Sequence, residues 1–166
     1  YLRKVRAVPG VVAAISWQWF GGTVDPAEGV AFPSFAVDPE EFGVVYADWH
    51  IAPEALETFR RYRDAALVGR QTMTSQSWKV GDIVSLESTV FPVTLSFRIV
   101  GEVPNESSPQ LYLQREYLVQ ALRAKGVSLD VVEMITSRID DPLLVQSVML
   151  QIDQMFSNSE SETTSE

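Results

Sequence analysis

The apolar positions of this chain come in short runs separated by glycine, proline and Asx breaks, and the period changes from run to run. From Val11 to Phe20 the pattern alternates, with Ile15, Trp17 and Trp19 on one face and Ala14, Ser16 and Gln18 on the other. That period of two predicts a half-buried strand. Upstream, Leu2, Val5 and Arg6 at helical spacing before Pro9-Gly10 suit the last turns of a helix. Downstream, Gly21-Gly22 and Asp25-Pro26 open a loop to about Ala31, and Phe32 to Val37 predicts a second, shorter strand. Asp38-Pro39-Glu40-Glu41 then reads as a helix start, with Asp38 as N-cap, Pro39 at the first helical position and Glu41 three residues after the cap. Pro53 opens a longer helix. Its apolar side is Ala55, Leu56, Phe59 and Tyr62, while Glu54, Glu57, Arg60 and Arg63 face water.

The second half repeats this alternation of short elements. Ala65 to Gly69 predicts a small apolar strand, followed by a Gly-Arg break, a short polar turn and another strand from Ile83 to Glu87, entered through Gly81-Asp82. Val93 to Val100 gives the clearest strand, with Val93, Leu95, Phe97 and Ile99 alternating with Thr94, Ser96 and Arg98. A polar loop with Asn105, Ser107, Ser108 and Pro109 leads to a helix over Gln114 to Ala124, closed by Gly126. Val131 to Ile139, rich in β-branched residues, predicts a strand. Asp140 or Asp141 then caps a last helix with Pro142 at its start and Leu144, Val148, Ile152 and Met155 on one stripe. Strands and helices in this order suit an α+β architecture better than strict βαβ repetition. The short strands between Ala65 and Val103 look like a subdomain inserted between two flanking α/β segments.

Composition narrows the function classes. At 166 residues with 46% hydrophobic content the chain can bury an ordinary core, and its formal net charge of -9, with scattered basic residues, argues against a nucleic-acid partner. The absence of cysteine removes disulfides, thiolate metal sites and cysteine nucleophiles together. No apolar run approaches the roughly 20 residues a membrane-spanning helix needs. Ser157 to Glu166 contains no large apolar residue and reads as a mobile tail or tether. A chain starting at Tyr1 reads as a piece of a longer protein or a processed form.

Catalytic chemistry finds little footing. His50 is the single histidine, so a Ser-His-Asp arrangement would have to use Asp48 without a nucleophile elbow, and a metal site would lack a second histidine or cysteine. His50 reads instead as a loop residue before the Pro53 helix. Glu40 and Glu41 are placed to serve a helix dipole rather than paired acid-base work. The glycines match neither phosphate-binding signature, so no nucleotide, metal or other cofactor is expected. Trp17, Trp19 and Phe20, at a strand end beside Gly21-Gly22, are the candidate partner contacts, although core filling by Trp17 and Trp19 is the simpler reading. Met149, Met155 and Phe156 on the last helix read as core.

The run "AALVGRQTMTSQSWKVGDIVSLESTVFPVTLSFRIVGEV", Ala65 to Val103, resembles the extracytoplasmic core domain of ABC transporter permeases of the MacB, FtsX and LolC type. Matching features are the Val-Gly-Arg strand end, the following short helix, the Val-Gly-Asp turn and the Ile99-Val100-Gly101 step. The likeness continues through Pro9-Gly10-Val11-Val12, Phe35-Ala36-Val37-Asp38-Pro39 and the final strand, Asp-Asp-Pro and helix. It implies a porter-like α/β lobe built from residues 1–64 and 104–156, a small inserted β-rich lobe at 65–103, and an acidic tail at 157–166 leading to a membrane helix. It further implies a periplasmic or cell-surface domain of a dimeric inner-membrane permease, no enzyme itself, that transmits movement driven by a separate cytoplasmic ATPase during export or extraction and meets substrate or a periplasmic adaptor. The stretch between Arg70 and Val103 is compact for members that dock on an exit duct. The competing expectations are a small acidic hydrolase using Glu40, Glu41, Asp48 and His50, and a stand-alone ligand-binding module.

Overall fold

The computed structural model describes residues 1–27, 31–104, 110–157, 159 and 164–166. The loop at 105–109 and residues 158 and 160–163 of the tail lie outside the described residues. Among the described residues eight strands form one mixed sheet: β1 Ala13–Trp19, β2 Gly22–Thr23, β3 Ser34–Val37, β4 Ala65–Gly69, β5 Ile83–Ser88, β6 Thr94–Val103, β7 Leu111–Gln114 and β8 Met134–Arg138. Six α-helices accompany it among the described residues: α1 Leu2–Arg6, α2 Phe42–Val45, α3 Pro53–Arg61, α4 Arg70–Gln76, α5 Arg115–Arg123 and α6 Val145–Phe156. The architecture is α+β, as the element order predicts. Among the described residues no helix is long and apolar enough to cross a membrane.

The strand order is β2-β5-β6-β4-β7-β3-β1-β8, with β3–β7 and β4–β6 parallel and the other pairs antiparallel. The chain therefore passes from β1 near one end of this order to β2 at the other through only Phe20 and Gly21. Such a short step forces the sheet to curl. Gly22 bridges back to Phe32, the Phe20 amide donates to the Ser34 carbonyl at 2.9 Å, and the Gly22 amide donates to Ser34 Oγ at 2.6 Å. Gly21 makes the turn at φ +58, where a Cβ would stand 2.6 Å from both Thr89 Oγ1 and Trp19 Nε1.

One core fills the concave side. Phe20, Leu86, Leu95, Phe97, Ile99, Leu111 and Leu113 pack there against Leu118 and Leu122 of α5. A second core on the other face joins Ile15, Trp17, Val37, Leu67 and Tyr112 to Phe42 of α2 and Phe59 of α3. The first core mixes side chains from the 65–103 segment with those of β1–β3, β7 and α5, so β4, β5 and β6 share a sheet and a core with the flanking elements.

Several elements depart from the sequence expectation. β1 is buried on both faces rather than half-buried, because α1 and α6 cover the side that Ala14 presents while α2 covers the other. Leu111–Gln114 is a strand, fully buried between β3 and β4, so no alternation marks it and the sequence pattern merges it with α5. The polar turn after Gly69 is helix α4, and the segment 131–139 forms a strand only over Met134–Arg138. Buried Gln114 closes α3: its Nε2 donates to the Phe59 carbonyl and, at 3.0 Å, to that of Tyr62, carbonyls that the helix end leaves without intrahelical partners.

The close approach of α3 to β6 depends on Gly101, where an added Cβ would lie 2.4 Å from Ala55 Cβ and 3.1 Å from Leu67 Cδ2. Gly101→Ala should therefore destabilise the domain by roughly 1–3 kcal/mol in urea unfolding, and Ala55→Gly in the same chain should restore part of that loss. A second prediction concerns Tyr46, which stacks on Trp49 at 3.9 Å between ring centroids. Burial pushes its phenol above the ordinary value, with Thr136 and the Trp17 indole pulling it back. A phenol whose folded pKa lies above the unfolded one stabilises the native state fully below the unfolded value, about 10, and that contribution disappears as pH rises through the folded value. Denaturation midpoints measured above about pH 10 should fall less steeply for Tyr46→Phe than for the parent chain.

Candidate functional site

Strand β1 is where the sequence-predicted residues of interest converge. β3 pairs with β1 only from Trp17 to Trp19, which leaves the earlier amides on that side without a ladder partner. Two carboxylates replace the missing strand. Asp38 Oδ2, just past the end of β3, accepts from the Ser16 amide at 2.8 Å and from Ser16 Oγ at 2.5 Å. Glu41 Oε2 accepts from the Ala14 amide at 2.8 Å and pairs with Arg6 Nε at 3.0 Å. Arg6 Nε also donates to the Ala14 carbonyl at 3.0 Å. At the far end of β1, Glu133 accepts from the Trp19 amide at 2.8 Å and from Gln18 Nε2 at 2.7 Å.

These contacts correct two sequence expectations. Asp38 does not cap a helix: α2 begins at Phe42 with Glu41 at its N-cap position, and the Asp38 side chain serves β1 instead. Glu41 does not act on the dipole of a helix starting at Pro39, since its carboxylate is engaged by β1 and Arg6. Of the remaining residues weighed for hydrolysis, Glu40 and His50 are exposed, His50 ending a 3-10 turn in the left-handed region at φ 52. Asp48 is held at 3.3 Å by Arg138, whose guanidinium pKa is raised further above its ordinary value, chiefly by the hydrogen bond to Asp140. Each acid other than Glu40 thus has a structural cation or amide for a partner.

The three aromatic candidates part company. Trp17 is 6% exposed and meets Phe35, Tyr46 and Tyr112 edge-on, and Phe20 is 0% exposed against Phe97. Both are packed inside. Trp19 is half-buried against Phe35 and is the one of the three that a partner can reach without opening the core.

The surface that sequence reasoning did not single out is the seat shared by the two terminal helices. α1 and α6 lie on the same side of β1, where Val5 and Phe156 pack with Ala14 and with Leu2, Val11, Ile135 and Ile152 at the margin. The Tyr1 and Phe156 rings meet at 5.1 Å, and Lys4 Nζ lies 5.9 Å from the Phe156 ring centroid. At the other end of α6, Val148 approaches Gly10, whose Cβ would come within 3.1 Å of it. Beside this seat runs a groove of about 830 Å³ between α6 and β8, bordered by Tyr1, Met134, Ile135, Met149 and Ile152, with Glu166 also at its wall. Phe156 is core as expected, whereas Met155 is 39% exposed and turned away from it. No short motif encodes this pairing, because it depends on where β1 and β8 bring the helices.

No protein-family model matches the sequence, and no curated protein matches it. Solved structures do match. The extracellular domain of the noncanonic ABC-type transporter YknZ from Gram-positive bacteria is similar with a TM-score of 0.66 at 9% identity, over 98% of this chain and 83% of that one. The periplasmic region of MacB from Actinobacillus actinomycetemcomitans is similar with a TM-score of 0.59 at 10% identity, over 94% of this chain and 72% of that one. Both likenesses span nearly all of this chain, including the segment on which the sequence resemblance rests. The chain thus has the fold of the extracytoplasmic domains of MacB-type ABC transporters.

Proposed function

We propose that this chain works as the extracytoplasmic domain of an ABC transporter permease, carrying movement driven by a separate cytoplasmic ATPase to substrate or partner proteins during export or extraction. The observation that carries this reading is the meeting of the two terminal helices. Tyr1 lies against Phe156, so a displacement applied to both chain ends enters the domain at one place, on β1 and β8. A domain joined to a membrane protein through both ends needs such an arrangement if it is to move as a body. The fold likeness to YknZ and MacB supports the same reading.

In this reading the domain stands on the outer side of the cytoplasmic membrane, within a permease dimer. Residues 65–103 correspond to the family's inserted lobe, here continuous in sheet and core with the base contributed by 1–64 and 104–156, and the acidic tail at 157–166 leads toward a membrane helix. Trp19 is the contact we assign to a substrate or adaptor protein. The reading assigns the domain no reaction of its own, in keeping with Asp38, Glu41 and Asp48 holding backbone amides and arginines.

Residues 1–166 contain no cysteine, so a single introduced one gives this domain one thiol to follow. In cells producing the full-length protein with Ser85→Cys, at an exposed position of β5, a membrane-impermeant maleimide applied to intact spheroplasts should label the domain as strongly as it does after lysis. Labelling that appears only after lysis would contradict the reading.

A further inference from the structure

We propose that the cleft formed by Arg61, Tyr62, Arg63 and Tyr117 is a docking site for an extended acidic segment of a partner protein. The cleft, about 570 Å³, lies where the end of α3 meets α5, and Asp64 completes its lining. Of its two helices, α3 packs on β4 and β6 and α5 on β3 and β7, whereas the terminal helices sit on β1 and β8, and the cleft shares no lining residue with the groove beside α6. The inference is therefore independent of the transport reading and of the groove beside α6.

Three observations point to a carboxylate-bearing ligand. First, the charge is misplaced for a chain of net -9: Arg60, Arg61 and Arg63 stand within four positions, all exposed, with Asp64 next to Arg63 and Glu57 one helical turn before Arg60 and Arg61. Arg6, Arg70 and Arg138 each hold a carboxylate, but among the described residues Arg60, Arg61 and Arg63 hold none. Second, the guanidinium groups are held in place by neutral partners. Arg61 lies over the Tyr62 ring and Arg63 over the Tyr117 ring, each 5.7 Å from the centroid, and Arg63 also donates to Gln120 Oε1. A tyrosine ring beside each guanidinium leaves N–H groups for a carboxylate, which arginine can hold with two parallel bonds where lysine cannot. Third, the backbone beneath is pinned. Buried Gln114 donates to the carbonyls of Phe59 and Tyr62, the Ala65 amide donates to the Tyr62 carbonyl at 3.0 Å, and the Arg98 amide donates to the Asp64 carbonyl at 2.8 Å. Little ordering remains to be done on binding, which favours affinity.

A peptide fits this site better than a lipid surface does. The arginines stand beside two tyrosine rings, which offer apolar contact to the side chains of a peptide as well as charge to its carboxylates. Aromatic walls with arginine are also the composition of protein interfaces.

The test uses a fluorescein-labelled oligoglutamate peptide and the whole chain at low ionic strength. The parent should bind, and Arg61→Ala with Arg63→Ala should weaken binding by about tenfold or more. Arg61→Lys with Arg63→Lys, which keeps the charge and loses the fork, should recover only part of it. Arg3→Ala with Lys4→Ala removes the same charge from α1 and should leave the affinity within about twofold. Unfolding midpoints equal to the parent's show that each variant is folded. Equal weakening by the Arg3 and Lys4 substitutions would mean non-specific charge attraction and overturn the proposal. So would unchanged affinity in the Arg61 and Arg63 variant, or binding of phosphatidylglycerol vesicles that depends on these arginines when peptide binding does not.

Discussion

Strand β1 is covered on both faces, and every other arrangement in the molecule follows from keeping its backbone satisfied there. A buried amide without a partner costs on the order of 1–3 kcal/mol, and β3 is too short to supply partners along the whole strand. Asp38 and Glu41 fill that gap from one side and Glu133 closes the far end from the other. The same strand must also deliver the chain to β2 within two residues, which curls the sheet around the core of Phe20, Phe97 and Leu113. Acidic side chains that look available for chemistry are thereby committed to architecture.

Much of this was legible from periodicity. β5 and β6 alternate cleanly because one face meets the core and the other meets water, and their burial follows the sequence pattern residue by residue. α3 was equally plain, with Ala55 and Phe59 on its buried stripe. β7 was not, since Leu111 to Gln114 is buried on both faces and runs directly into α5, leaving neither alternation nor a break to mark it. The Asp38-Pro39 signal misled for a specific reason: a carboxylate three residues before an acid and next to proline suits a helix cap, but here the nearer unsatisfied donor was the Ser16 amide on a distant strand. Tertiary demand outweighed a local one. The aromatic pair at Trp17 and Trp19 divided on the same principle, one turned into the core and one left at its margin.

The candidate site was the least legible part, because it consists of two helices far apart in sequence. Val5 and Phe156 become neighbours through β1 and β8, whose pairing runs from Ala13 opposite Arg138 to Trp17 opposite Met134. α1 is tied to this platform by ions as well as packing, through Arg6, Glu41 and the Ala14 carbonyl. α6 rests on apolar contacts, with Val148 and Phe156 buried and Leu150 61% exposed. α1 thus meets the start of β1 through polar bonds, while α6 bears on the same strand through apolar side chains.

That shared seat is the central claim, and the distance between its two helices tests it most directly. With nitroxide labels on Arg3→Cys and Gln154→Cys in the otherwise cysteine-free chain, pulsed dipolar spectroscopy should give one short and narrow separation. A long separation, or a broad distribution extending to one, would contradict the account.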